Sequence, residues 1–83
     1  MATYIDVHSG FNGVTQDQLA AAHRQDLDNE KREGVHFIKA WGDPKSGKVF
    51  CLSEGPSADA VRRVHQAAGH PAAEVYEVPV VVE

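Results

Sequence analysis

Five histidines, twelve carboxylates and one cysteine in 83 residues are the groups of this chain best suited to chemistry. Leu19, His23 and Leu27 recur at four-residue steps, which on a helix puts His23 on the stripe facing a sheet. Asp26 lies within reach one turn on. A carboxylate beside an imidazole orients it as a metal ligand or proton carrier. The structural alternative is a helix-boundary ring satisfied by Asp26 and a carbonyl. His65 follows Val61 and Val64 and precedes Ala68, so it borders an apolar stripe, either packed or functional. Two imidazoles suit nickel, copper or zinc, but a carboxylate, Cys51, water or a second chain must complete such a site. Asp6 and His8 sit two residues apart, about 7 Å along a strand. They are a metal-binding pair, a dimer contact or solvated strand-end residues. His36 and His70 read as solvated. Cys51, between Phe50 and Leu52, reads as a small buried hydrophobe.

Regular elements must carry these residues. Thr3 to His8 alternates Thr3, Ile5 and Val7 with Tyr4, Asp6 and His8, the period of a half-buried strand. With Ile5 and Val7 toward the helices, Asp6 and His8 point to the opposite face. Thr15 and Gln18 form a capping box opening a helix that runs to about Glu33 and stops at Gly34. Val35 to Trp41 is a second strand, with Phe37 and Trp41 sharing the parity of Val35 as core or dimer packing. A hairpin over 42–47 leads to a third strand, Lys48 to Ser53. Ser57 caps a second helix ending near Gly69, and Val75 to Val82 is a fourth strand, bent or split at Pro79. His23 and His65 each lie eight residues after their cap, about 12 Å down their helices, so they stand at similar heights.

The order β-α-β-β-α-β predicts an α+β, ferredoxin-like sandwich: an antiparallel sheet with two helices on one face. Residues 1–83 read as one such domain. Ile5, Val7, Leu19, Leu27, Val61 and Val64 are the expected core. The sheet face without helices is the expected homodimer surface, because a chain this small buries little by itself.

Eight Lys and Arg against twelve Asp and Glu leave a net charge of −4, which argues against a nucleic-acid partner. No apolar run approaches the roughly 20 residues of a membrane span. The start of the chain lacks a basic-then-apolar signal, and a lone cysteine fits a cytoplasmic location. No C-x-x-C, phosphate loop, G-x-G-x-x-G, H-E-x-x-H or serine-nucleophile pattern occurs.

Asp6-Val7-His8, Leu19 through His23 to Asp26-Leu27, Gly34-Val35, Phe50-Cys51-Leu52 with Glu54 and Pro56, and Val64-His65 occur in this order. Together they resemble the small nickel-binding, nickel-responsive ferredoxin-like proteins over nearly the whole chain. The resemblance implies a homodimer that binds divalent nickel at its surface, for sequestration or response. It carries Asp6, His8, His23, Asp26 and His65 over as the polar positions of the metal site. Related sequences often read Ala-His-Gly near the end of the second helix, whereas here His70 follows Gly69.

The leading expectation is therefore a nickel-binding protein rather than an enzyme. A cofactor-free enzyme using His23, Asp26 and His65 as acid-base residues is the second reading. A small-molecule sensing or interaction module around Phe37 and Trp41 is the third. Histidines converging on solvent-accessible points, within one chain or across two, favour the first, a closed apolar pocket reaching His23 or His65 the second, and scattered, unpaired histidines the third.

Overall fold

Thr15 opens the first helix as its residue type dictates. Its hydroxyl accepts from the Gln18 amide at 3.2 Å while the Gln18 side chain accepts from the Thr15 amide at 3.0 Å. Ser57 caps the second helix by accepting from the Ala60 amide at 3.1 Å. In the computed structural model, which describes all 83 residues, the elements are β1 (Ala2–His8), α1 (Gln16–Asn29), β2 (His36–Asp43), β3 (Lys48–Gly55), α2 (Ala58–Ala67) and β4 (Glu74–Glu77). A 3-10 turn, Glu30–Glu33, tightens the end of α1, and Gly34 closes it with φ 68°, a left-handed conformation natural to glycine.

The strands pair antiparallel in the order β2-β3-β1-β4, the ferredoxin-like arrangement. Tyr4, Val35, Phe37, Val49, Cys51, Ala60, Val61 and Val64 form the core between the sheet and α2, with Leu19 and Leu27 of α1 packed against its margin. Val61 and Val64 thus occupy the expected centre.

The direction of β1 is the reverse of that expected. Tyr4, Asp6 and His8 point to the helices, whereas Ile5 and Val7 stand on the helix-free face beside Leu52 and Phe50. Alternation shows that a strand has two faces, but burial follows partners. The polar row goes inside because charged groups on both helices satisfy it. A bulge corrects a second expectation. Ile38 is the extra residue of β2, so Phe37 lies in the core while Trp41 pairs with Phe50 on the other face. β4 ends at Glu77, the Val78 amide still bonds the Thr3 carbonyl at 2.9 Å, and the chain leaves the sheet from Pro79 onward.

Candidate metal centre

Four parts of the chain meet at one buried point. β1 supplies Asp6 and His8, α1 supplies Asp26, α2 supplies His65, and the loop after α2 supplies His70. Asp26 is the only fully buried residue of α1. On α2 the buried positions Ala60, Val61, Val64 and His65 form one stripe, so packing the valines drives His65 inward. Gly69, with φ 88°, reverses the chain after α2, and the His70 amide bonds back to the His65 carbonyl at 3.1 Å.

His65 is bound at both ring nitrogens. Nδ1 donates to Asp26 Oδ1 at 2.9 Å and Nε2 donates to Asp6 Oδ2 at 2.8 Å. His70 Nε2 donates to the same Asp26 oxygen at 2.8 Å. Phe37 covers the His65 ring at 4.8 Å between centroids, and His8 meets its edge at 4.4 Å. Burial opposes a charge on His65, but the hydrogen bonds to Asp26 and Asp6 outweigh it and push its pKa up to about 11. The ring is therefore an imidazolium at neutral pH. Burial also disfavours the ionised form of Asp6 and Asp26, yet the imidazole hydrogen bonds hold both below the usual carboxylate range. Two carboxylates around one imidazolium leave a negative excess. Burial pushes the Cys51 thiol up to about 11, so it stays protonated.

The remaining pair is less comfortable. His8 Nδ1 lies 3.2 Å from the Pro71 carbonyl, which only accepts, so this nitrogen carries the hydrogen. His8 Nε2 is 2.7 Å from Asp6 Oδ1, yet neither atom has an aligned hydrogen bond. The contact still helps to hold the Asp6 carboxylate ionised, although it is not a well-aligned hydrogen bond. With the hydrogen on Nδ1, Nε2 turns a lone pair toward the carboxylate oxygen, and a proton or a metal cation between them satisfies both. The atoms of Asp6, His8, Cys51 and His65 able to bind a metal lie within 4.8 Å of one another, as do those of Asp26, His65 and His70. A cavity of about 10 Å³ adjoins them, bordered by His8, His23, Asp26, Cys51 and His70 among apolar side chains. That is room for roughly one water or one ion. Imidazole and carboxylate donors fit a divalent transition metal, nickel included.

Of the residues expected from sequence, Asp6, His8, Asp26 and His65 come together. They do so in the interior rather than at the surface, and Asp6 and His8 do not face a sheet-side partner. His23 stands apart. It is half-buried, and Asp26 bonds His65 and His70 instead of it. His70 was missed as a site residue. Its signal is the glycine before it, which ends a helix and folds the following residue back over α1. Cys51 is core as expected and also touches the donor group. His36 is exposed beside Glu30 at 3.6 Å.

Comparison with known proteins identifies relatives of the chain. No curated protein sequence matches the chain. Among solved structures, that of SCO4226 from Streptomyces coelicolor A3(2) superposes with a TM-score of 0.95 and 58% identity, covering 98% of this chain and 100% of that one. A family model described as "Nickel responsive protein SCO4226-like" matches residues 4–78. With nearly every element inside that match, the chain belongs to the SCO4226-like family of nickel-responsive proteins.

Proposed function

We propose that this protein binds divalent nickel in the buried His/Asp centre and works as a cytoplasmic homodimer in nickel sequestration or response. The observation that carries the reading is the unsatisfied pair His8 Nε2 and Asp6 Oδ1, both buried, 2.7 Å apart and flanked by His65. A buried acceptor without a partner is costly, and two that face each other invite a proton or a metal cation. Asp6, His8 and His65 would hold the ion, with Asp26 and His70 beside them; His65 gives up a proton to take part. The family description supports nickel as the ion. The acid-base alternative is weaker, because both ring nitrogens of His65 are already bonded to buried carboxylates and the cavity beside Asp26 is only about 10 Å³.

The helix-free face supports the dimer. Ile5, Trp41, Phe50, Leu52 and Tyr76 form an apolar patch there, and Trp41 and Tyr76 are exposed.

Calorimetric titration of tag-free protein with nickel, and with zinc, copper and cobalt as competitors, tests the reading. Nickel binding in the micromolar range or tighter, lost in His8→Ala, is expected. No binding below millimolar nickel overturns it.

A further inference from the structure

Of the two helices, α1 is held by far the less buried surface. Among its 14 residues only Asp26 is fully buried, whereas α2 buries four of ten. Leu19 and Leu27 are half-buried. The space under and beside the helix is not filled. The cavity of about 10 Å³ adjoins Leu19, Ala22, His23 and Asp26, and an open groove of about 400 Å³ lies between its first turn and Ala40 and Trp41 of β2. His23 adds a buried Nδ1 without a hydrogen-bond partner, which costs stability in the closed form. Against this stands Asp26, whose Oδ1 accepts from His65 at 2.9 Å and from His70 at 2.8 Å. The flanks of the helix are fixed separately. Before it, the Phe11 and Gly13 amides donate to the Gly47 and Pro44 carbonyls, each at 2.9 Å. After it, Glu30 accepts from the Phe37 amide at 2.8 Å, and Glu33 accepts from Arg63 at 2.8 Å.

We propose that α1 is a lid: the segment Gln16–Asn29 opens as one unit, with Asp26 as its latch, while its flanks, the sheet and α2 stay folded. The cost of such an opening is set by the buried apolar contacts it breaks, and α1 has few. Lifting the helix uncovers what lies across the cavity from it, His8, His70 and the thiol of Cys51. Solutes that the closed form excludes then reach the polar interior. The inference concerns the helix itself and holds whether or not a metal binds. Both helices lie on the face of the sheet opposite the patch assigned to the dimer, so a second copy seated there leaves α1 free to move.

Cys51 is the only cysteine of the chain and serves as the reporter. The test is the rate at which dithiobis(nitrobenzoic acid) labels Cys51 in the full chain at fixed pH and rising urea, beside backbone hydrogen exchange. Opening one helix exposes little surface, so labelling at low urea should be nearly independent of denaturant. It should run at least about 100-fold faster than global unfolding allows. The amides of α1 beyond its first turn should exchange together at the same opening frequency, while those of α2 and β3 stay protected. In Asp26→Asn labelling should rise by about tenfold or more with the urea dependence still small, because a charged hydrogen-bond acceptor is lost. Asp28→Asn, an exposed carboxylate two residues on, should leave the rate within about twofold of wild type. Labelling of the wild-type chain with the full urea dependence of global unfolding, and α1 amides as protected as those of α2, overturn the proposal without recourse to any variant. Wild-type labelling in an Asp26→Asn chain that circular dichroism shows to be folded overturns the latch.

Discussion

Asp6 and Asp26 are bound to opposite nitrogens of one imidazole, that of His65, at 2.8 and 2.9 Å. The ring ties β1 to α1 through α2, and its charge is what makes the tie.

Stability should therefore follow the state of this row. The pKa of His65 rises from 6.5 to about 11 on folding, so its contribution is complete below pH 6.5 and is lost as pH climbs toward 11. Asp6 and Asp26 are lowered from 3.8, so theirs is present above pH 3.8 and lost as pH falls through the lower folded values. The row is at full strength between those limits. Thermal unfolding across pH should show a decline on the alkaline side that His65→Asn abolishes. An unchanged alkaline slope in that variant would place its origin elsewhere.

Removing the ring entirely should cost far more than a surface change. His65→Ala removes the central partner of two buried carboxylates, leaving Asp26 its bond to His70 and Asp6 the misaligned contact with His8, and breaking a buried pair costs about 3–5 kcal/mol. Urea denaturation measures it. Adding Asp6→Asn and Asp26→Asn to that variant should recover part of the loss, because the stranded charges disappear.

Nickel and protons should compete for the same centre. If the ion displaces one proton from His65, affinity should rise by about tenfold per pH unit through neutrality. Calorimetry in buffers of different ionisation enthalpy counts the protons released. His8→Ala and His65→Ala should each weaken binding. Cys51→Ser should leave it within about threefold, since the thiol holds its proton and nitrogen and oxygen donors carry the ion. Loss of binding in Cys51→Ser alone would move the site onto sulfur.

The helix-free sheet face should hold two copies together. Sedimentation equilibrium at micromolar concentration should give a dimer. Trp41→Glu combined with Phe50→Glu, which puts charge on paired positions of β2 and β3, should give a folded monomer. A wild-type monomer would leave this apolar patch without a second copy.

Local sequence signals located most of the fold. The Thr15–Gln18 box, the Ser57 cap, Gly34 and the valine stripe of α2 all act within a few residues, and each appears where its chemistry requires. The inward face of β1 was not legible. Asp6 and His8 go inside because His65 meets Asp6 from 59 residues away and Pro71 meets His8 from 63. A period-2 pattern holds no such information. The parity of Trp41 failed for a local reason, the bulge at Ile38, which no glycine or proline announces. Asp6, His8, Asp26 and His65 were recognisable by type, but their convergence was not, and His70 was hidden by its position after a helix-ending glycine.

The helix α1 turns only one fully buried side chain toward the rest of the molecule, and that side chain is a carboxylate. Leu19 and Leu27 grip the core only at its margin. A helix of 14 residues, about four turns, is thus moored by an electrostatic hawser more than by oil. Any event that alters the charge at Asp26 slackens or tightens the whole span at once. An ion seated beside Asp26 would in this way be felt along the outer surface from Gln16 to Asn29.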